Sequence, residues 1–491
     1  MYRLILYYLI FLLAVALVLG LFGVIGVAPY GLFFSTLFLL AICSIINQIF
    51  SYFFSAPTNV ESVYITALIL ALIITPATSI NTLIFLVWAG VWAMASKFIL
   101  AIGKKHIFNP AAFAVALTAF TIGQSASWWV GTFWMAPFVL IGGILIVRKI
   151  RRADLVISYF AVAGLTILTF YFLKGSNLLT AFGKILFESP FLFFGFVMIT
   201  EPLTTPPTRG LRILYGALTG FIFAPQIHLI SFYSTPELSL IIGNVFSYLA
   251  SPKKKLMLTL KERIKVANNT YNFVFQSDEV FSFKPGQYLE WTLEHEKPDS
   301  RGNRRYFTIA SSPTEKEIIM GVKFYDRPSS FKESLGKMNL GDIVVASQLA
   351  GDFVLPKNKD EKLAFIAGGI GVTPFRSMVK CLVDTDEKRD IVLFYSNNTE
   401  ADIAYKNIFD FAERQLGIKM VYTLTGQDVS PSWRGKRGLI DAETIKQNTP
   451  DYLDRTFYIS GPNAMVVTFK ALLREMGIRK HKIKTDYFPG F

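Results

Sequence analysis

The chain has 491 residues, 52% of them hydrophobic, and a net charge of +14; that length predicts two or three domains rather than one. Much of the basic excess falls in loops between apolar runs, and no basic stripe interleaves with stacking aromatics, so nucleic acid is excluded as a partner and membrane orientation is the expected role of the charge. Two cysteines and four histidines cannot hold an iron–sulfur cluster within one chain, only His106 and His228 lie in the first half, which disfavours stacked haems, and no metal site is expected.

The first half, to about Ala250, is a series of apolar runs of membrane-spanning character. Ten spans are predicted: Arg3–Ala28, Gly31–Phe54, Val63–Thr78, Ile80–Ile102, Pro110–Ile122, Ser127–Val147, Leu155–Phe172, Pro190–Thr200, Leu211–Leu229 and Pro236–Tyr248. The first run is too long for a signal-peptide core and is followed at once by another, so it reads as a retained helix. With the N-terminus inside, Lys104, Lys105, Arg148, Lys149, Arg151, Arg152, Arg209 and Lys253 to Lys255 share one face, and only Lys174 and Lys184 face the other way. The positive-inside rule then places the protein in a plasma (inner) membrane, among lipid, with its second half in the cytoplasm.

Two landmarks recur. Pro76-Ala77-Thr78-Ser79 ends the third run and Pro202-Leu203-Thr204-Thr205 the eighth; Asn109-Pro110 opens the fifth and Thr235-Pro236 the tenth. Both offsets are 126 (202 − 76 and 236 − 110), which suggests a duplicated five-helix unit whose copies would be inverted. Glu201, beside Pro202, is expected to face protein, water or a ligand rather than lipid. The stretches His106-Ile107-Phe108-Asn109-Pro110-Ala111, Ile199-Thr200-Glu201-Pro202, Tyr215-Gly216-Ala217-Leu218 and Asn244-Val245-Phe246 resemble the family of membrane proteins shared by the Rnf electron-transport complex and the sodium-translocating NADH:quinone oxidoreductase. Members of that family carry a flavin esterified to the threonine of a Ser-Gly-Ala-Thr motif. That motif is absent here, where the comparable stretch runs from Gly123 to Trp129 as Gly-Gln-Ser-Ala-Ser-Trp-Trp. The acceptor implied in the membrane half is therefore a non-covalent flavin or a quinone.

Beyond Lys255 short alternating runs predict an antiparallel barrel over 256–358, with strands at Lys265–Ala267, Tyr271–Gln276, Gln287–Leu293, Arg305–Ala310 and Ile318–Phe324. In Arg305-Tyr306-Phe307-Thr308, an Arg can pair with pyrophosphate, an aromatic can stack on a flat ring and a hydroxyl can reach a ring nitrogen. Ser329-Ser330-Phe331-Lys332 looks like a helix start with free N–H groups. Over 359–491 a parallel α/β sheet is predicted. An apolar strand, Lys362–Ala367, runs into Gly368-Gly369-Ile370-Gly371-Val372-Thr373-Pro374 and then a helix, with Thr373 and Pro374 as cap and first turn. Further strands lie at Ile391–Tyr395, Met420–Leu424 and Thr456–Ser460, the last entering Ser460-Gly461-Pro462.

Together these motifs resemble the ferredoxin–NADP reductase superfamily. Arg305-x-Phe307-Thr308 matches its flavin motif, Gly368-Gly369-x-Gly371-x-Thr373-Pro374 its nicotinamide loop, and Ser460-Gly461-Pro462 its Cys-Gly-Pro turn with Ser for Cys. The tail from Asp486, with Phe488 and Phe491, resembles the end whose aromatic covers the flavin. The resemblance implies FAD in the barrel, held by Arg305, Tyr306, Phe307, Thr308, Ser330, Phe331, Lys332 and Phe488. It implies NADH or NADPH on Gly368, Gly369, Gly371, Thr373, Pro374, Gly461 and Pro462, with Thr308, Ser460 and Phe491 at the reacting atoms. In relatives the residues after the second strand choose the nucleotide. Here Ser396-Asn397-Asn398 bring no Arg to a 2′-phosphate, which favours NADH, although Lys406, Arg434 or Lys436 could supply a charge. The expected protein is a multi-domain, membrane-bound, FAD-dependent NAD(P)H oxidoreductase delivering electrons to a quinone, a second flavin or a redox protein. Its rivals are a redox-driven ion or metal transporter, a haem-type ferric reductase and a soluble-type reductase merely anchored by its spans.

Overall fold

The computed structural model describes residues 2–54, 60–102, 105–229, 232–251, 255–299, 301–427 and 429–486, and the chain separates into two units, Met1–Lys254 and Lys255–Phe491. The first is helical. In chain order come α1 (Tyr2–Leu21), α2 (Pro29–Phe53), α3 (Val60–Ile73), α4 (Ile80–Ile99), α5 (Pro110–Ile122), α6 (Ala136–Ile150), α7 (Ala153–Leu173), α8 (Leu178–Phe187), α9 (Phe191–Phe193, prolonged by a π-helical turn Phe194–Met198), α10 (Arg209–Phe223) and α11 (Pro236–Ala250). Two tiny hairpins interrupt them, β1 (Ala101–Ile102) with β2 (Lys105–His106) and β3 (His228–Leu229) with β4 (Phe232–Tyr233).

Among the described residues four helices, not ten, are long and apolar enough to cross a membrane: Arg3–Leu21, Pro29–Phe53, Ile80–Ile99 and Ala153–Leu173. The pair Leu178–Phe187 and Phe191–Met198, bent by 60°, would make a fifth. The overcount has a plain cause. Apolar runs continue past the points where the helices stop: α3 ends at Ile73, before Pro76; the run from Ser127 becomes helical only at Ala136; and α10 ends at Phe223. Helices of 13 to 15 residues rise only about 20–22 Å, short of a hydrocarbon core of roughly 30 Å.

The recurrent landmarks take up recurrent structure. At the first set α3 ends in the Pro76 turn, α4 follows, then the β1–β2 hairpin, then α5, whose cap Asn109 accepts from Ala112 N at 3.0 Å. At the second set α9 and its π-turn end at Met198, ahead of Pro202, α10 follows, then β3–β4, then α11, whose cap Thr235 accepts from Leu238 N at 3.3 Å. α5 packs against α11. Close packing of α10 on α7 relies on small residues: a Cβ on Gly220 would stand 2.7 Å from the Tyr159 carbonyl oxygen. Arg212 and Asp154 close the same seam at 2.6 and 2.8 Å.

The second unit holds two sheets. The first comprises β5 (Leu256–Ala267), β6 (Thr270–Ser277), β7 (Tyr288–Thr292), β8 (Arg304–Thr308), β9 (Ile318–Lys323) and β10 (Ile343–Ala350), in the order β8-β7-β10-β5-β6-β9. Every pairing is antiparallel, and Ala310 N donates to Ile319 O at 2.8 Å, linking the segments beyond β8 and at β9. Strand β10 escaped the sequence reading. Helix α12 (Ser330–Gly336) plugs this barrel with Phe331 and Leu335, both fully buried.

The second sheet runs β14 (Lys436–Arg437), β13 (Lys419–Leu424), β12 (Ile391–Asn397), β11 (Leu363–Gly368), β15 (Thr456–Ser460), β16 (Ile483–Asp486), all parallel. The order extends from β11 to β13 on one side and then reverses to β15 on the other. Helices α13 (Thr373–Asp384) and α14 (Lys406–Leu416) cover one face through Phe375, Met378 and Phe409. Helices α15 (Ala442–Asn448) and α16 (Asn463–Glu475) cover the other through Ile445, Val466 and Phe469. Burial on both faces explains why β11 reads as an unbroken apolar run.

Helix α13 also holds the barrel. Arg376 donates to Ala310 O at 3.0 Å and pairs bidentately with Glu315, while Ser377 Oγ donates to Ser311 O at 2.6 Å. Arg376 is 5% exposed, and removing one partner of a buried ion pair leaves the other unmatched. Arg376→Ala is expected to destabilise the C-terminal unit by about 2–4 kcal/mol, read as a fall of several degrees in its unfolding midpoint. A midpoint unchanged within error would show that this contact does not tie the two sheets together.

Candidate active site

In a doubly wound sheet, ligands bind where the strand order reverses, at the carboxyl ends of the strands. Here that point lies between β11 and β15. β11 ends at Gly368 and enters a 3-10 turn, Gly369–Val372, with Gly369 at φ +52°. β15 ends at Ser460 and turns through Gly461 and Pro462 into α16. The two turns meet backbone to backbone: a Cβ on Gly371 would stand 2.6 Å from Gly461 Cα, Gly461 N and Ser460 O, and one on Gly461 2.9 Å from Met465 Sδ. Gly368, Gly369, Gly371, Ser460, Gly461 and Pro462 are thus brought together as read from the sequence. The cap is not. Val372 is the N-cap of α13, and Thr373 lies inside the helix, its hydroxyl donating to Ile370 O at 3.2 Å, with Pro374 buried in the first turn. The intervening 3-10 turn shifts the helix start by one residue.

Further along the same edge, Asn397 ends β12 and Thr423 stands near the end of β13. Asn397 Oδ1 and Thr423 Oγ1 are buried and unpartnered among the described residues, an arrangement that an incoming polar ligand relieves. Of the cationic alternatives, Lys406 pairs with Asp410 and Lys436 with Asp441 at 3.2 Å, while Arg434 is exposed on the loop before β14.

In the barrel, β8 lies antiparallel to β7 with Phe307 opposite Leu289 and Thr308 opposite Tyr288. Arg305 and Phe307 share one face of the strand and both approach Phe331, at 5.6 and 5.7 Å. Tyr306 points the other way, donating to Glu290 Oε2 at 2.8 Å and packing edge-on against Tyr288, so the structure does not bring it to Arg305. Ser329, not Ser330, caps α12. Ser330 Oγ instead takes Asp299 N at 2.9 Å and meets His295 Nε2 at 3.0 Å. Phe331 is fully buried, a packing surface rather than a contact surface. Lys332 Nζ donates to Lys323 O at 2.8 Å and lies 5.1 Å from the Tyr325 ring. Burial, with the Arg301 charge adding to it, lowers the Lys332 ammonium to about 8.

Asp299, absent from the sequence reading, holds Arg305 at 2.8 and 2.9 Å. Burial works against this carboxylate, but the Arg301 backbone N–H and the Arg305 and Arg301 charges hold it down to about 2. His295, Asp299 and Glu290 lie on a loop or on a neighbouring strand, and no periodic signal announces them. The nearness of Asp299 to Arg305, six positions apart across a hairpin, was the one available cue. Phe488 and Phe491 lie outside the described residues, as do Lys104, Lys253 and Lys254 of the basic loops.

Comparison with known proteins agrees with this geometry. Residues 365–470 match the family described as the oxidoreductase NAD-binding domain. The chain is 28% identical over 218 residues to the flavohemoprotein of Bacillus cereus, covering 43% of this chain and 54% of that one. It is 28% identical over 229 residues to the glycine betaine monooxygenase reductase subunit of Chromohalobacter salexigens, covering 44% and 60%. The chain therefore spans little more than half the length of these relatives. Among solved structures, the cytochrome b5 reductase domain of Ulva prolifera nitrate reductase is 21% identical with a TM-score of 0.42, over 48% of this chain and 97% of that one. The C-terminal half is thus an antiparallel barrel followed by a parallel α/β sheet, and residues 365–470 of that sheet domain match the oxidoreductase NAD-binding domain.

Gly371→Ala tests the meeting of the two turns. Its Cβ would force them apart, and nucleotide affinity is expected to fall at least about tenfold, roughly 1.4 kcal/mol, with the circular dichroism spectrum unchanged. Titration with NADH would detect this, and wild-type affinity in the variant would show that the close approach is not needed for binding.

Proposed function

We propose that the protein is a membrane-bound, FAD-dependent NAD(P)H oxidoreductase that passes electrons from cytoplasmic nicotinamide nucleotide to an acceptor in or at the membrane. The observation that carries this reading is the backbone-to-backbone meeting of the Gly368–Gly371 and Ser460–Pro462 turns at the reversal point of a parallel sheet.

The barrel residues fit FAD. Arg305 Nε is buried without a partner among the described residues, so the guanidinium retains a donor for a phosphate oxygen. Phe307 lies beside it with a half-buried ring, Thr308 follows on the same strand, and Ser330 and Lys332 approach from α12. Tyr306 and Phe331 would support the site from behind, and Phe488 and Phe491 would cover the flavin. FAD, when bound, supplies hydride acceptance from the nicotinamide and onward delivery of electrons. The chain's own part is positional. Arg305 and Lys332 balance phosphate charge, the paired glycine turns let the nucleotide backbone approach closely, and Ser460 borders the cradle at the end of β15. Thr308, two residues before Ala310, is held in register with that cradle through the Arg376 contact.

NADH is the proposed donor. Asn397 and Thr423 offer neutral, unpartnered atoms that suit a ribose diol, while Lys406 and Lys436 are already paired with carboxylates. Membrane attachment is supported by the four long apolar helices and by large apolar side chains exposed on them, among them Tyr7, Phe11, Phe33, Leu37 and Leu165. The acceptor in this reading is a quinone or a non-covalent flavin, as a kinship of the first half with the Rnf and sodium-translocating membrane proteins would imply. Glu201, enclosed in the helical unit, favours a second reading in which electron flow drives ion movement.

Anaerobic addition of NADH to the purified FAD-loaded protein is expected to bleach its flavin absorbance, with NADPH slower by about tenfold or more because neutral Asn397 and Thr423 stand at the strand ends. No bleaching by either nucleotide would sink the proposal. A second expectation concerns pH. The free-state Lys332 ammonium titrates at about 8, and a bound phosphate raises that value, so FAD affinity is full below 8 and declines as pH rises through it. Fluorescence titrations should show FAD binding weakening between neutral and alkaline pH in the wild type but flat over that range in Lys332→Met. Equal slopes in both proteins would remove Lys332 from the site.

A further inference from the structure

Within the helical unit a carboxylate and an imidazole face one another across an unmade bond. Glu201 stands between the π-helical turn of α9 and Pro202. Its Oε2 accepts from Asn109 Nδ2 at 2.9 Å and from Thr204 Oγ1 at 3.2 Å. Its Oε1 lies 3.6 Å from His106 Nε2. That nitrogen is buried and has no hydrogen-bond partner among the described residues, and the two side chains are 21% and 11% exposed. The separation is too long for a hydrogen bond and too short to admit a water between the atoms. A small pocket lined by Ile102, His106, Leu203, Thr204, Asn244 and Ser247 opens beside the pair, its cavity of about 20 Å³ room for a single water.

We propose that His106 and Glu201 form a proton-exchange site, loaded from water in this pocket, in which one proton is shared between Nε2 and Oε1. The two groups without a proton set a lone pair against an anionic oxygen, and each is then poorly satisfied. One proton, on either atom, closes the gap into a charge-assisted hydrogen bond. Asn109 and Thr204 occupy Oε2, which leaves Oε1 as the atom that exchanges. Asn109 is itself fixed by its backbone N–H on Asn244 Oδ1 at 2.7 Å, and Asn244 Nδ2 donates to Tyr215 Oη at 3.2 Å. Among the described residues, the other titratable groups facing the site are Lys97 of α4, whose charge acts on Glu201 and whose Nζ rests on Ser62, Tyr215 of α10, and Tyr248 of α11 at the pocket wall. Loading takes the pair from a net charge of −1 to 0. An electron arriving in this unit adds negative charge nearby and strengthens proton uptake; that last coupling, unlike the site itself, rests on the proposed electron delivery to the helical unit.

The test is an infrared pH titration of the full-length protein in lipid nanodiscs, without nucleotide, using ring-labelled histidine. In the wild type the His106 ring bands and a carboxylate band should change together through one titration. In Glu201→Gln the carboxylate change should vanish, and the His106 ring bands should no longer follow the wild-type titration. In His106→Gln the carboxylate band should titrate alone, at a different pH from the wild type. Ring bands that titrate identically in wild type and Glu201→Gln, or a carboxylate band unmoved by His106→Gln, would overturn the site. So would a spectrum that answers to sodium at fixed pH rather than to protons. Flavin bleaching by NADH, measured on the same sample, reports separately on the oxidoreductase reading.

Discussion

The C-terminal half depends on two polypeptide turns that pass each other with no side chain between them. Gly371 and Gly461 meet at van der Waals range, and any Cβ at the first would overlap the backbone of the second. That contact is possible only because β11 and β15 are adjacent and parallel with their carboxyl ends together. The arrangement propagates through one helix. α13 starts at the turn, and its residues Arg376 and Ser377 grip Ala310 and Ser311, just beyond Thr308 on the flavin-type strand. A single helical turn therefore ties the nicotinamide-type cradle to the barrel strand. Position and alignment of two bound groups, which decide whether transfer between them is fast, come down to the rigidity of that short link.

The helical unit obeys a different constraint. Backbone and side-chain polar groups away from water need internal partners, and this unit breaks several helices. The breaks are answered by segments distant in the chain. The cap of α5, Asn109, reaches Glu201 at the break after α9, and Asn244 of α11 takes the Asn109 N–H. In the opposite sense, Trp128, just beyond α5, donates its backbone N–H to Ile73 O at the end of α3 and its indole N–H to Glu237 in the first turn of α11. Each broken helix is thus satisfied where an N-capped, proline-led helix or its flanking segment arrives. Glu201 and Glu237 are the carboxylates this crossing encloses, which is why the polar chemistry of the unit gathers there.

How far the sequence revealed this follows from which signals are local. The strands β11, β12 and β15 were legible because burial on both faces writes apolar runs, and the glycine turns were legible because only glycine tolerates the approach. The short strands β14 and β16 carry no such run. The count of ten spans failed because hydropathy registers apolar residues without regard to where a helix stops, and Pro76, Pro137 and Pro202 stand at or next to helix limits that hydropathy does not see. The paired landmarks were visible for the opposite reason: the prolines and caps near helix ends are sparse, position-specific and recur at one offset. Thr373 was misplaced as a cap because a 3-10 turn and an α-helix start share the same Gly-Thr-Pro spelling. Glu290 was missed because its partner Tyr306 is set by cross-strand register rather than by spacing along the chain, and Asp299 because it sits in an irregular hairpin loop.

The Asp299 contact sharpens what the barrel can do with charge. A carboxylate held down to about 2 remains ionised throughout ordinary conditions, so Arg305 is never an uncompensated cation. It also donates to the carbonyls of Arg301, Gly302 and Arg304, which fold the hairpin loop around it. An anion that engages Arg305 must therefore share the guanidinium with Asp299 or displace it, and displacement would release Asp299 from a loop that Ser330 and His295 also anchor. Lys332, by contrast, gives its hydrogen bond to a neutral carbonyl and has its ammonium lowered toward the neutral range. The permanent charge in this barrel is committed and structural. The adjustable charge is the lysine, so the response of anion binding to pH belongs to Lys332 and its geometry to Arg305.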